Sequence, residues 1–219
     1  MKPVVVFGTG DFARMARIYL DADSPREVAA FTVDERYVDA PTLDGLPVVA
    51  FGQLPETHPP EQYVLFVAIG FSRVNQARAE VYARCKQLGY ELISYVSSKA
   101  IVWDELVIGD NSFVFEANVI QPNVRIGNDV ILWSGNHIGH DATIGDHCFL
   151  ASHVVVSGNV TIGDYCFLGV NATLRDAITV APRCVIGAGA LIMKDTEEGA
   201  VLAVRGTEPI ERKSWELNL

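Results

Sequence analysis

An aliphatic residue recurs every six positions through more than half of the chain. Ile, Leu or Val occupies all seventeen positions of this series, from Val96 to Ile192. Helices have a period of 3.6 and strands a period of 2, so neither generates a period of six. A β-helix built from hexapeptides does, because each hexapeptide forms one flat side and three sides close a triangular coil of 18 residues. The aliphatic side chains then point into the prism.

An 18-residue coil places residues 18 apart in one column, about 4.8 Å from coil to coil. Cys148, Cys166 and Cys184 have this spacing. We interpret them as small apolar fillers of one interior column rather than as metal ligands or redox groups. No insertion interrupts the period, so catalytic groups must lie on the coils and be covered by something else. Another subunit is the natural cover, and a three-sided prism favours a homotrimer with sites between chains.

The first 92 residues alternate strand and helix patterns. We predict strands over 3–7, 27–34, 48–51 and 63–69, and helices over 11–20 and 72–88, with Gly89 as the C-terminal cap of the second helix. This βαβ order predicts a small parallel sheet. The fold class is therefore an α/β Rossmann-like domain at 1–92, a left-handed parallel β-helix of hexapeptide repeats at 93–206 and a C-terminal tail at 207–219.

Composition narrows the possible partners. The 219 residues contain 17 Lys and Arg against 27 Asp and Glu, a net charge of −10. An acidic chain of this kind is a poor nucleic-acid or anionic-membrane binder. Mean hydropathy is +0.21, yet no stretch reaches the ~18 apolar residues of a membrane span. The N-terminal apolar run is too short for a secretory signal, so we expect a cytoplasmic protein.

A glycine-rich turn follows the first predicted strand. Gly8 and Gly10 stand in a Gly-x-Gly-x-x-Ala pattern before a helix, the shape that cradles phosphates. Asp34 ends the second strand and is placed to bind a ribose or a base. Gly70 and Arg73 end the last strand at the same sheet edge; Arg73 either meets a phosphate or is a solvated first-turn residue. Because this domain holds one mononucleotide-binding half, a nucleotide or nucleotide sugar fits better than a dinucleotide.

Four of the five histidines fall within 17 residues, at positions 137, 140, 147 and 153. His140 precedes Asp141 and follows an inward aliphatic, so the pair should face outward. A neutral histidine takes a proton from an attacking amine or hydroxyl, and an adjacent carboxylate fixes its tautomer. Gly158 lies one coil further on, where its N–H can bind a developing oxyanion. We assign no role to the other three histidines.

These motifs resemble the sialic-acid O-acetyltransferase-like family of hexapeptide acyltransferases, above all its perosamine-type nucleotide-sugar N-acetyltransferases. The matching segments are VVVFGTGDFA (4–13), FTVD (31–34), AIG (68–70) and IGHDATIGDHCF (138–149). The resemblance implies a homotrimer that transfers an acetyl group from acetyl-CoA to a nucleotide-linked 4-amino sugar for bacterial surface polysaccharide, such as lipopolysaccharide O-antigen. It also implies that His140 is the base, and that Gly158, Val170 and Ala188 contact the coenzyme A moiety.

The chain departs from the family at several positions. Trp133 and Phe149 stand where the bacillosamine-type enzymes carry an Asn and a second His, so the acceptor sugar is held differently. The family's C-terminal Gly-x-Pro-Ala-Lys ending is absent. Lys194 and Arg205 are then the candidate partners of the coenzyme A phosphates.

Three other functions are compatible with these patterns. One is O-acetylation of a sugar hydroxyl. The second is a hexapeptide metalloenzyme of the carbonic-anhydrase type, which needs three converging histidines and leaves the N-terminal domain without a role; we predict no metal. The third is a non-catalytic nucleotide-sugar binder, which has no need of His140.

Overall fold

The computed structural model describes residues 1–217, and its N-terminal part is a three-layer α/β unit. The elements are β1 (Val4–Phe7), α1 (Asp11–Asp23), β2 (Val28–Val33), β3 (Thr42–Leu43), β4 (Leu46–Ala50), α2 (Leu54–Thr57), β5 (Val64–Val67) and α3 (Gln76–Gln87). Short 3₁₀ helices lie at Glu35–Tyr37 and Phe51–Gln53. The sheet order is β3-β4-β2-β1-β5, with every pair parallel except β3–β4. The predicted parallel sheet is therefore correct apart from this edge hairpin.

Two local predictions were wrong for reasons of turn chemistry. The hairpin turns at Asp44 and Gly45, whose φ values are +49° and +83°; Asp-Gly is a preferred pair for such a turn. Helix α3 begins at Gln76 rather than at 72. Residues 73–75 have φ of +53°, +51° and +67°, a left-handed turn that a right-handed helix does not admit.

The rest of the chain winds as a three-sided β-helix of two-residue strands. Face I contains Tyr95–Val96, Phe113–Val114, Ile131–Leu132, Phe149–Leu150, Phe167–Leu168, Val185–Ile186 and Val201–Leu202. Face II contains Ile101–Val102, Val119–Ile120, His137–Ile138, Val155–Val156, Thr173–Leu174 and Leu191–Ile192. Face III contains Val107–Ile108, Arg125–Ile126, Thr143–Ile144, Thr161–Ile162 and Thr179–Val180. All neighbouring strands within a face are parallel and 18 residues apart up to residue 192, so the predicted coil is confirmed.

The second residue of each strand forms the interior of the prism. From Val114 onward these residues are almost all less than 5% exposed, and they pack as one apolar cluster with the small residues of the corners. Cys148, Cys166 and Cys184 are fully buried and unpaired within this cluster. Burial raises the pKa of the Cys148 thiol. These cysteines therefore act as the predicted apolar fillers.

The N-terminal domain packs on face I through aromatic side chains. Phe12 of α1 contacts Phe113 and Trp133 at ring-centroid distances of 5.9 and 5.7 Å. Phe71, just after β5, contacts Phe149 at 5.1 Å and also the next aromatic residue along the face. Trp133 and Phe149 are thus engaged between the domains, which explains why apolar residues occupy these positions.

A buried charge network also joins the two domains. Arg78 of α3 donates from Nε to Asp129 Oδ1 at 3.0 Å, and both side chains have no exposed surface. Its Nη2 donates to the carbonyl oxygens of Asp129, His147 and Cys148. His147 Nδ1 lies 2.8 Å from Asp129 Oδ2. This histidine therefore has a structural partner on the interdomain side.

The chain leaves the regular coil after residue 192. Residues 193–200 lead to the last face I strand, and a 3₁₀ turn at Ser214–Glu216 follows an irregular stretch. Residues 218–219 of the predicted tail lie outside the described residues. Within residues 1–217, no helix is both long enough and apolar enough to cross a membrane.

Candidate active site

The edge between faces II and III carries the predicted catalytic pair. His140 and Asp141 follow the inward Ile138, and their side chains are 53% and 46% exposed, open to a ligand. His140 Nδ1 lies 2.8 Å from Asp141 Oδ2. Asn123, one coil earlier, donates from Nδ2 to Asp141 Oδ1 at 2.9 Å. The carboxylate is thus held between two partners and orients the imidazole.

The electrostatics of this pair fix the histidine tautomer. Hydrogen bonds from His140 and Asn123 lower the pKa of Asp141 below its usual range. Asp141 is therefore a carboxylate at neutral pH and accepts a hydrogen bond from His140 Nδ1–H. The lone pair of the neutral ring then lies on Nε2, the atom a general base needs.

Gly158 lies directly beside this free nitrogen. A Cβ built on Gly158 would come within 2.6 Å of His140 Nε2, so no other residue fits there without displacing the ring. The glycine is buried beneath the histidine. Its carbonyl accepts from Ala177 N–H, whereas its own N–H has no acceptor among residues 1–217. A buried donor without a partner, next to a base, is a candidate oxyanion contact.

The residues expected to contact coenzyme A lie on two edges of face II. Val170 and Ala188 are successive positions on the edge between faces I and II, where Gly189 N–H donates to the Val170 carbonyl at 2.8 Å. Gly158 lies on the opposite edge of that face. Lys194 continues the column of His140 and Gly158, two coils beyond Gly158. One chain therefore does not bring these positions together.

The remaining candidate, Arg205, follows the last face I strand. It is exposed and is not part of a regular element. Lys194 is likewise exposed. Neither side chain forms an ion pair within the described residues, which leaves both cations open to an anionic ligand.

The predicted nucleotide residues surround one cleft at the carboxyl end of the N-terminal sheet. It has a volume of about 780 Å³ and is lined by Gly8, Gly10, Asp34 and Arg73, and by residues on either side of Gly70. A pocket of this size suits a small ligand. The N-terminus of α1 has no side-chain cap and opens at Gly10, so its N–H groups suit an anion.

Gly8 must be glycine for two reasons. Its φ is +132°, and a Cβ there would lie 2.8 Å from the carbonyl oxygen of Ala68. The glycine thus allows β1 and the end of β5 to approach each other at the floor of the cleft. Gly70 contributes differently, since its carbonyl accepts from Arg78 Nη1 at 3.0 Å.

Arginines dominate the cleft walls, and two of them have partners. Arg84 Nη1 donates to Asp34 at 3.2 Å, which lowers the pKa of the Asp34 carboxyl. Arg73 pairs with Glu80 at the exposed rim. Arg36 instead lies 4.7 Å over the ring of Tyr37. The sequence analysis missed Arg36 and Arg84, although Arg36 stands only two residues after Asp34.

The other coil histidines do not converge on a metal site. His147 belongs to the buried network, and the His153 ring lies against Gly135, where a Cβ would come within 2.6 Å of it. No group of three or more His, Cys, Asp or Glu side chains in residues 1–217 is placed to hold a metal ion. The chain thus offers no three-ligand site of the carbonic-anhydrase type in this part.

Comparisons with known proteins agree with the observed coil. Residues 123–158 and 159–194 match the family model of the bacterial transferase hexapeptide (six repeats). No curated protein matches the chain by sequence. PerB from Caulobacter crescentus, solved with CoA and GDP-perosamine, is 26% identical with a TM-score of 0.83, over 93% of this chain and 95% of that one.

Two further solved structures share the fold. The acetyltransferase domain of PglB from Neisseria gonorrhoeae FA1090 is 24% identical with a TM-score of 0.82, over 96% of this chain and 100% of that one. WeeI from Acinetobacter baumannii AYE is 21% identical with a TM-score of 0.79, over 92% and 96%. The predicted resemblance is confirmed: the chain is a hexapeptide-repeat protein with the two-domain fold of the perosamine-type N-acetyltransferases.

Proposed function

We propose that the protein is an acetyl-CoA-dependent N-acetyltransferase acting on a nucleotide-linked amino sugar. The observation that carries this proposal is the His140–Asp141 pair, with its free Nε2 beside the unpaired N–H of Gly158. PerB, at 26% identity, was solved with CoA and GDP-perosamine. A 4-amino sugar attached to a nucleotide, destined for a bacterial surface polysaccharide such as O-antigen, is the corresponding acceptor class.

The residues present fit the proposed donor. His140 Nε2 accepts a proton from the acceptor amine as this attacks the thioester carbonyl. Gly158 N–H donates to the carbonyl oxygen as negative charge develops there. Asp141 keeps the imidazole in the correct tautomer and stabilises the imidazolium. Val170 and Ala188 would line the pantetheine arm, and Lys194 and Arg205 would pair with its phosphates.

The N-terminal cleft would hold the nucleotide of the acceptor. Its diphosphate would lie at the N-terminus of α1, near Gly8 and Gly10, with Arg36 and Arg73 as cations. Asp34 would accept from ribose or base while Arg84 keeps it ionised. Since both substrates are metabolites of the cytoplasm, we place the enzyme there.

Acetyl transfer to a panel of UDP-, dTDP- and GDP-linked 4-amino sugars tests the proposal. We expect free thiol to be released from acetyl-CoA only when a suitable amino sugar is present, with the acetylated product identified by mass spectrometry. A protein that binds these nucleotide sugars tightly but releases no thiol would instead be a binding module. Release of thiol without an acetylated sugar would also contradict the proposal.

The topology of one chain supports a homotrimer as the active form. The N-terminal cleft belongs to the domain that packs on face I, whereas His140 lies on the edge between faces II and III, opposite face I. A single nucleotide sugar cannot connect these two places within one chain. The cleft of one protomer must therefore supply the acceptor to His140 of another.

We predict that the protein sediments as a trimer at micromolar concentration. Face II exposes Val155 and Leu191 (37% and 62%), the kind of apolar surface that a partner covers. Val155→Glu should dissociate the trimer and abolish acetyl transfer together. Ile18→Glu, at an exposed aliphatic residue of α1 (64%), is the matched control and should do neither. An active monomer would contradict this arrangement.

A further inference from the structure

Asp176 lies in the same column as His140 and Gly158, two coils beyond the histidine, and the function assigned so far does not use it. The point at which a Cβ of Gly158 would sit is 2.6 Å from His140 Nε2 and 2.9 Å from Asp176 Oδ1. These two atoms are therefore no more than 5.5 Å apart, the sum of 2.6 and 2.9 Å. The missing side chain of Gly158 is what allows the imidazole and the carboxylate to face each other.

The carboxylate of Asp176 has no partner in the described residues. It is exposed, and it forms no hydrogen bond or ion pair with His140, with the adjacent Arg175 or with Lys194 one coil further on. Two acceptors thus face one gap: the lone pair of His140 Nε2 and an oxygen of Asp176. Neither is satisfied by the chain itself.

The edge between faces III and I shows what a carboxylate at this position ordinarily does. There, Asp164 Oδ1 accepts from Asp146 N–H at 2.9 Å, and Asp146 Oδ1 accepts from Asn128 N–H at 2.7 Å. Each side chain caps the backbone of the residue 18 positions earlier. Asp176 holds the same position relative to Gly158, yet the bond to Gly158 N–H is absent, so both groups are left for a ligand.

The gap has the size of a single bridging atom. A nitrogen that donates to both acceptors at about 2.8–3.0 Å from each spans the observed separation. An amine or ammonium nitrogen carries at least two N–H donors and satisfies both groups. A sugar hydroxyl has one hydrogen and leaves one acceptor unpaired, which costs binding energy in a closed site.

We propose that Asp176 is a substrate-contacting residue that holds the acceptor's amino group against His140 Nε2 and so selects amines over hydroxyls. This inference rests on the proposed function and deepens it. At neutral pH the acceptor arrives as an ammonium, which Asp176 pairs with. The C–N bond forms and the C–S bond breaks. Of the two protons lost by the nitrogen, one ends on the coenzyme A thiol and one passes through His140 to solvent.

The test compares amine and hydroxyl acceptors in charge variants of Asp176. The acceptors are GDP-perosamine and the UDP- and dTDP-linked 4-amino-6-deoxyhexoses, each beside its analogue with a hydroxyl at the same carbon. We expect Asp176→Asn to raise the acceptor KM about 10- to 100-fold, the loss of a charged hydrogen bond, and to lower the preference for the amine. The KM of acetyl-CoA should stay within about twofold, and Asp176→Glu should restore part of the preference.

The asparagine variant separates this role from a structural one. If Asp176 merely caps Gly158 N–H, the amide oxygen of Asn caps it equally well and the kinetics do not change. Asp164→Asn is the matched control, because it changes a capping carboxylate on another edge and should leave the acceptor preference unaltered. Thermal unfolding of each variant reports whether the fold persists.

The outcomes distinguish the two levels of the proposal. An active wild type whose Asp176→Asn variant keeps its acceptor KM and its amine preference overturns the inference and leaves the proposed function intact. A wild type that acetylates none of the amino sugars overturns the proposed function, and the inference with it. A wild type that prefers the hydroxyl analogues also overturns the inference.

Discussion

Replacing His140 by alanine or asparagine is expected to lower kcat about 10²- to 10⁴-fold, the usual contribution of general-base catalysis. The KM of acetyl-CoA should be nearly unchanged, because the imidazole acts on the attacking amine rather than on the donor. The side chain is 53% exposed and its ring bonds only to Asp141. Its loss should therefore leave the fold intact, and steady-state kinetics at saturating acetyl-CoA measure the effect directly.

Asp141→Asn should have a smaller effect on kcat than loss of the base. The amide leaves the base in place but no longer fixes its tautomer or stabilises the imidazolium. His153→Asn is a matched control, since His153 lies on another edge of the same coils and pairs with no carboxylate in the described residues. A His140 variant that turns over at the wild-type rate would refute the assignment of this residue as the base.

The period of six made the catalytic edge predictable because a strict repeat converts sequence distance into spatial position. Adjacent His140 and Asp141, with Gly158 one coil away, were found from this arithmetic. The same arithmetic applied once more leads from Gly158 to Asp176. The sequence analysis did not take that step, because an exposed aspartate at a turn carries no chemical mark of its own.

Contacts between the domains could not be read from the sequence in the same way. Arg78 and Asp129 are 51 residues apart and belong to segments with different periods. No repeat relates them, and an arginine in a predicted helix is ordinarily a solvated residue. His147 illustrates the consequence: its position among four histidines favoured no role, and the structure gives it a buried aspartate as its partner.

Backbone conformation was the other source of error. Residues 73–75 occur in a segment whose composition favours a helix, but the chain takes a left-handed turn there before α3 begins. The turn places Asn75 so that its Nδ2 donates to the Cys166 carbonyl on the β-helix at 3.0 Å. Tertiary contacts of this kind override local propensity, and a single sequence does not reveal them.

The largest effect on stability is expected from breaking the Arg78–Asp129 ion pair. Both side chains are fully buried. Removing one partner leaves the other charge without compensation, which typically costs 3–5 kcal/mol. Arg78→Met should therefore lower the free energy of unfolding by about this amount, a large share of the roughly 5–15 kcal/mol available to a domain. Urea unfolding at a fixed protomer concentration measures the change.

Arg183 provides the control for this substitution, because its ion pair with Glu198 is exposed (59% for each side chain). Arg183→Met should change stability by no more than about 1 kcal/mol.

The double variant Arg78→Met/Asp129→Leu separates loss of the charge pair from loss of packing. With no charge left buried, it should be less destabilised than the sum of the two single variants. Additive losses would show that the two side chains stabilise the fold independently. The same variants report on function, because Arg78 also holds the Gly70 carbonyl at the nucleotide cleft. If the ion pair positions the N-terminal domain, Arg78→Met should weaken acceptor binding while acetyl-CoA, bound along the coils, keeps its affinity.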